Sequence, residues 1–177
     1  MSAKFIVRDA VAKDFATITE IYGHHVLTGL ASFEEQPPSR DELEKRFSHV
    51  LELGLPYLVA VDPSGHVGGY AYASLYRTRV AYRFTVEDSV YVAQGFERKG
   101  LGRILLTELI ERCTQAGRRQ MVAVIGDSAN HGSIGLHAAM GFAMVGTMPA
   151  VGFKFGRWVD SVIMQRPLGG GETTLPG

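Results

Sequence analysis

Residues 85–106, TVEDSVYVAQGFERKGLGRILL, begin as an alternating strand, pass through a basic loop with two glycines, and end as an amphipathic helix. Arg83, Thr85, Glu87, Ser89 and Tyr91 fall on one side and Phe84, Val86, Val90 and Val92 on the other, the two-residue period of a half-buried strand. Glu87 therefore projects from the polar face of an element otherwise built into a core. The loop Glu97, Arg98, Lys99, Gly100, Leu101, Gly102 then opens a helix expected to run to about Gly117. First-turn amides of a helix have no intrahelical partners, and glycine lets a ligand approach the backbone without a Cβ in the way. With Arg98, Lys99 and Arg103 added to the helix dipole, this is the chemistry of an anion cradle. The same residues also describe an ordinary strand, a polar turn and a basic helix start, and a short glycine motif alone does not separate the two readings.

Upstream, Tyr57 to Val61 and Val67 to Tyr76 are β-rich runs around Asp62-Pro63-Ser64-Gly65, the signature of a hairpin turn. A basic and aromatic connection, Arg77 to Tyr82, leads from that hairpin to the opening strand. Further back, Lys4 to Arg8 reads as a first strand. Phe15, Ile18, Tyr22 and Val26 keep helical spacing from Asp14 to near Gly29. His24 and His25 are adjacent on that helix and cannot share a face, which excludes them as a metal pair. Residues 31–38 have no period and contain Pro37 and Pro38, so they form a loop that carries Phe33. Ser39 followed by Glu42 fits a capping box for a second helix through Leu43, Phe47, Val50 and Leu51, stopped at Gly54.

Downstream, Met121 to Ile125 is apolar without alternation, as in a strand covered on both sides. A helix is expected from about Ala129 to Met140, with Ser128 as N-cap and Gly141 as its stop. Asn130, Ser133 and His137 lie at i, i+3 and i+7, a polar line on one face. Two strands, Phe142 to Val151 and Val159 to Arg166, close the domain through residues 153–158. The division expected is one domain over 1–168 and a flexible glycine- and proline-rich tail over 169–177.

The chain has 177 residues, 46% hydrophobic, with 18 basic and 18 acidic side chains. That suits a single globular core and lacks the charge excess of a nucleic-acid or membrane-surface binder. No apolar run approaches the ~18 residues of a spanning helix, and the N-terminus has no signal-like segment, so a cytoplasmic location is expected. The single cysteine, Cys113, falls on the apolar side of the central helix and reads as core filler. No metal is expected.

The element order, together with Thr85 to Val92, Lys99-Gly100-Leu101-Gly102, Val122 to Ile125, Leu136-His137 and Lys154 to Trp158, resembles the GCN5-related N-acetyltransferase superfamily over residues 4–166. Within it the chain is similar to the phosphinothricin and methionine sulfoximine or sulfone acetyltransferases. The resemblance implies an α/β (α+β) fold: a mixed, mostly antiparallel, twisted sheet splayed at its middle, with helices on both faces. It implies acetyl-CoA as cosubstrate, with the pantetheine arm on backbone groups of Val90, Tyr91 and Val92. The pyrophosphate would sit on Arg98, Lys99, Gly100, Leu101, Gly102 and Arg103, and Asn130 and Ser133 would contact the pantetheine region. A homodimer is implied as well.

Glu87 matches the family's catalytic glutamate and is expected to act as general base, directly or through a water. The alternative is a structural carboxylate paired with Arg77, Arg79 or Arg83. His137 matches a family histidine near the thiol. Arg77, Arg79 and Tyr82 match the acceptor segment of the phosphinothricin-type enzymes, Thr85 is placed with them, and Phe33 matches an aromatic that caps the pocket. Guanidinium groups suit a carboxylate or phosphinate, so a small anionic α-amino acid analogue is the implied acceptor. Two residues depart from the pattern. Glu97 stands where the loop usually has Gln or Arg, and Phe153 stands where relatives carry a tyrosine. Other acceptors, a protein N-terminus or a polyamine, keep the same chemistry. An acyl-CoA-binding module without turnover is the reading from a different class.

Overall fold

The computed structural model describes residues 5–176. In chain order the elements are β1 (Ile6–Asp9), a 3-10 turn at Ala12–Asp14, α1 (Phe15–Thr28), α2 (Arg40–Glu52), β2 (Tyr57–Val61) and β3 (Val67–Leu75). A second 3-10 turn at Val80–Tyr82 leads to β4 (Thr85–Val92), α3 (Leu101–Gln115), β5 (Gln120–Gly126), α4 (His131–Ala139), β6 (Ala143–Lys154) and β7 (Arg157–Pro167). Lys4, expected to begin the first strand, lies outside the described residues.

The strands form one sheet in the order β1-β2-β3-β4-β5-β7-β6. Only β4 and β5 run parallel; the other neighbours are antiparallel. This is the mixed, mostly antiparallel sheet expected from the family resemblance. The alternation of β4 decides which helices meet which residues. Tyr91 packs edge-on against Tyr22 of α1, and Phe47 of α2 meets Phe15 and Tyr57, so Glu87, Ser89 and Tyr91 face α1 and α2. Val86, Asp88 and Val90 face α3 and α4, which are themselves in contact where Gly102 lies against Leu136. Phe15, Ile18 and Val26 of α1 and Leu101, Leu105, Leu106 and Leu109 of α3 are fully buried. Each such side chain stabilises the fold by roughly 1.5–3 kcal/mol relative to an exposed one.

Two boundaries differ from expectation for local reasons. Asp127 is left-handed at φ 71° and accepts from the Ala129 amide, a tight turn that carries Ser128 outward. Ser128 donates to Asp160 instead of capping, and Asn130 becomes the N-cap of α4, accepting from the Ser133 amide at 3.1 Å. The last hairpin is tighter than its sequence suggests. β6 and β7 continue to a two-residue turn at Phe155 and Gly156, with φ of 52° and 73°. Residues 169–172 form turns, and the Arg119 guanidinium donates to the Leu175 carbonyl at 2.7 Å.

Gly126 ends β5 where the loop after α1 crosses it. A Cβ there would overlap the Leu30 carbonyl oxygen and press on the Phe33 ring. A backbone atom cannot rotate away, so Gly126→Ala must displace residues 30–33. The expected cost is about 1–3 kcal/mol, or roughly 2–12 °C in Tm by circular dichroism. An unchanged melting point would show that the contact is not tight.

Candidate active site

The parallel pairing of β4 and β5 covers only Thr85↔Gln120 to Asp88↔Ala123. Both strands continue, β4 to Val92 and β5 to Gly126, without bonding each other. Tyr76 bonds Thr85 and Ala93 bonds Gly68 through the backbone, which fixes the odd-numbered residues of β4 as those bonded to β3. Val90 and Val92 therefore turn their N–H and C=O groups toward β5, where no strand receives them. The Val92 carbonyl is taken by His25 Nε2 at 2.9 Å. Buried backbone groups call for partners, so the open edge of β4 suits an extended chain bearing amides. The gap encloses a cavity of about 290 Å³.

Phe33, Glu87, Val90, Tyr91, Asn130, Ser133 and His137, each picked out from the sequence, all line that one cavity. Glu87 is half-buried, and its carboxylate has no hydrogen-bond partner among the described residues. Burial raises its pKa, the neighbouring Asp88 charge raises it further, and Arg77 pulls it down. A carboxylate whose pKa is raised in this way is a stronger base than a surface glutamate, which suits proton abstraction.

The opposite wall comes from α4. Asn130 and Ser133 are joined by the cap hydrogen bond, and His137 Nδ1 lies 2.8 Å from the Ser133 carbonyl. His137 Nε2 is 2.9 Å from Asp88 Oδ2, and the two side chains are 5% and 2% exposed. Burial alone would lower the His137 pKa; the Asp88 hydrogen bond and charge, with the Ser133 carbonyl, reverse this and leave it raised. The residue that sequence reading missed is Asp88. Its signal was a carboxylate between Val86 and Val90 on the apolar side of the strand.

At the far end of β4, Arg98 and Gly100 are left-handed, with φ of 62° and 83°, and Gly100 has open space where a Cβ would be. The Leu101 side chain enters the core, so it offers the loop only its amide, whereas Arg98, Lys99 and Arg103 are exposed around the helix start. Glu97 folds back and accepts from the Gly95 amide at 2.7 Å. Its charge is thereby engaged on its own turn, and the loop keeps the character of an anion site despite the departure from pattern.

Arg77, Arg79, Tyr82 and Thr85 do not line the cavity; they form the adjoining β3–β4 connection. Arg77 stacks on Tyr76 at 4.3 Å and Tyr76 meets Tyr82 edge-on, while the Arg79 guanidinium has no hydrogen-bond or ion-pair partner among the described residues. On the other side Phe33 wedges between Gly126 and Gly152. Its loop is held from below by Lys154, a buried lysine that donates to the Gly29 and Ser32 carbonyls at 2.9 and 2.7 Å. Phe153 is exposed and packs edge-on against Trp158, outside the cavity lining. Among the described residues no group of three His, Cys, Asp or Glu side chains is placed to hold a metal ion, and no helix is long and apolar enough to cross a membrane.

The acetyltransferase (GNAT) domain matches residues 7–163 of the chain. A phosphinothricin N-acetyltransferase of Alcaligenes faecalis is 56% identical over 171 residues, covering 97% of this chain and 85% of that protein. An L-methionine sulfoximine/L-methionine sulfone acetyltransferase of Salmonella typhimurium is 42% identical over 162 residues, covering 92% and 94% of the two chains. The crystal structure of a phosphinothricin acetyltransferase from Sinorhizobium meliloti, in complex with acetyl-CoA, superposes with a TM-score of 0.95 at 54% identity, covering 100% of this chain and 94% of that one.

Proposed function

The chain belongs to the GNAT acetyltransferase family and is an acetyl-CoA-dependent N-acetyltransferase, and from that premise we propose that its acceptor is the α-amino group of a small anionic amino-acid analogue of the phosphinothricin, methionine sulfoximine or methionine sulfone type. The observation that carries this reading is Glu87, a hydrogen-bond-free carboxylate on the wall of the β4–β5 gap, with Arg77 close enough to act on its charge. The named relatives point to the same class of acceptor. A cavity of about 290 Å³ closed on one side by Phe33 favours a small acceptor over a peptide, and the exposed arginines repel a polyamine.

The activated acetyl group comes from the thioester of acetyl-CoA. Its pantetheine amides fit the open backbone groups of Val90 and the Val92 amide, and its pyrophosphate fits the amides and cations of residues 98–103. Arg77 and Arg79 hold the acceptor's anionic group through paired hydrogen bonds. Glu87 takes a proton from the acceptor nitrogen, which leaves a lone pair to attack the thioester carbonyl carbon. As the carbon–sulfur bond breaks, its electron pair goes to sulfur, and His137 supplies the proton that sulfur takes up. The acceptor ammonium gives up two protons in all, one to free the lone pair and one after the carbon–nitrogen bond has formed; sulfur takes up one, and the other leaves to solvent. Phe153 takes no part.

A second copy of the chain is the partner we assign to β6. This strand is the sheet's edge, and Met144, Val145, Met148, Val151 and Phe153 are all exposed along it, continued by Phe155 and Trp158. An unprotected apolar edge of this kind is normally covered. Sedimentation equilibrium at micromolar concentration is expected to give twice the chain mass, and Val151→Lys to give the monomer. A wild-type chain that stays monomeric at 100-fold higher concentration contradicts the assignment. The same reading places the enzyme in the cytoplasm; recovery of its activity in the membrane pellet on fractionation would argue against that.

Glu87→Ala is expected to lower kcat by ~100-fold or more with a phosphinothricin-type acceptor, and in the wild type the acid limb of kcat should lie above the ordinary glutamate range, since the group's pKa is raised. Arg79→Ala is expected to raise the acceptor KM by ~10-fold or more, the worth of one charge-assisted hydrogen bond, while the acetyl-CoA KM stays within about twofold. Unchanged turnover in the first variant removes Glu87 from its role. Equal KM changes in the second remove Arg79 from the acceptor site.

A further inference from the structure

His137 stands at the apex of the gap, beside the last hydrogen-bonded pair of β4 and β5, and both of its ring nitrogens face oxygens that accept. A backbone carbonyl cannot donate, so the 2.8 Å contact with Ser133 places a hydrogen on Nδ1. At the 2.9 Å contact with Asp88 the second ring proton sits on Nε2, since, against the effect of burial, the hydrogen bond and charge of Asp88 raise the His137 pKa. The ring is therefore held as an imidazolium, fixed in orientation from both ends.

The groups around the pair are few. Glu87 follows the same strand but lies on its other face. Cys113 of α3 is neutral, its thiol pushed up to about 12 by burial. From beyond α4 the Phe142 ring meets His137 edge-on at 4.9 Å. No lysine or arginine among the described residues pairs with Asp88, and its second oxygen, Oδ1, is buried without a hydrogen-bond partner. His137 alone balances that carboxylate.

Stability does not account for such a pair. Replacing a buried ion pair with apolar side chains of similar volume is often neutral or stabilising, and the strand reads Val86, Asp88, Val90 on this face. A functional cause does account for it: a neutral imidazole, the form that burial would favour here, would carry its one proton on Nδ1, held by Ser133, and have none on Nε2 to give a departing thiolate. We propose that Asp88 is a positioning residue for acetyl transfer, holding His137 charged and oriented at the apex of the gap so that the acid is already protonated when the carbon–sulfur bond breaks. The inference rests on the reading of His137 as the leaving-group acid. In that step the electron pair of the carbon–sulfur bond goes to sulfur, sulfur replaces Asp88 Oδ2 as acceptor of the Nε2 proton and takes it, and imidazole protonated on Nδ1 remains. One of the two protons lost by the acceptor nitrogen restores the imidazolium through Glu87 and solvent, and the other leaves to solvent.

Three proteins test it: wild type, Asp88→Asn and His137→Gln, each assayed for kcat from pH 6 to 10 with saturating acetyl-CoA and phosphinothricin. The His137 Cε1 proton is followed by NMR in the first two. The expected wild type has a His137 midpoint above the ordinary histidine range and a kcat that falls on the alkaline side at that same pH. Asp88→Asn is expected to lower the midpoint by about one pH unit or more and to carry the alkaline limb with it, with the acetyl-CoA KM within about threefold. Asp88→Glu should restore part of the shift. His137→Gln with wild-type kcat overturns the acid reading and this inference with it. A slow His137→Gln beside an Asp88→Asn profile that superposes on wild type overturns the inference alone. Should Asp88→Asn not fold, the wild-type titration decides: a His137 midpoint at or below about 6.5 overturns the proposal.

Discussion

The parting of β4 and β5 after Asp88 and Ala123 is the constraint from which the rest of the site follows. A parallel pair inside a sheet ordinarily runs on until its strands end, because every unpaired backbone group left behind costs free energy. Here both strands continue past the last pair and leave Val90 and Val92 turned toward empty space. Three contacts hold the gap open. The loop carrying Leu30 and Phe33 is seated on Gly126, the Asn130 cap and the Asp127 turn lead the chain sharply into α4, and His25 engages the Val92 carbonyl. The protein thus keeps a ready-made edge for a ligand that carries its own amides, on a strand that α1 and α3 cover from opposite faces.

Because side chains alternate along a strand, the gap also joins two chemically different half-sites. Glu87 and Asp88 are neighbours in the chain but point to opposite faces. Glu87 meets the basic β3–β4 connection and has no hydrogen bond, so burial raises its pKa and makes it a better base. Asp88 meets His137, and against the effect of burial its hydrogen bond and charge raise the pKa of the ring. Two carboxylates one residue apart are in this way kept on separate partners, which the proposed mechanism uses as a base and as the support of an acid.

Most of the architecture was legible because it rests on period and punctuation. The helices from Phe15 and Arg40 and the hairpin at Asp62 to Gly65 follow from apolar spacing, Ser39 capping and turn residues. The family order then supplied the sheet. What escaped reading lies where two distant segments meet. Asp88 broke the apolar alternation, but its partner is on another element 49 residues on, and spacing along one strand cannot show a pairing across α4. Lys154 looked like one more turn lysine until the structure put its ammonium under the Phe33 loop. Ser128 and Asn130 are equally good caps by residue type, and only the left-handed Asp127 chooses between them. Glu97 was legible as a departure from pattern, whereas its harmless orientation toward Gly95 depends on the fold of the loop.

The central claim is that this gap transfers acetyl to a small anionic amino acid. Thiol release from acetyl-CoA, measured as kcat/KM on phosphinothricin, methionine sulfoximine, methionine sulfone, spermidine and an N-terminal peptide, tests it most directly. The account predicts turnover with at least one of the three anionic analogues at ~100-fold or more above spermidine and the peptide, since two lost charge-assisted contacts are worth about 3 kcal/mol or more. Equal or higher kcat/KM on spermidine or the peptide, or binding of acetyl-CoA with no thiol release on any acceptor, would contradict it.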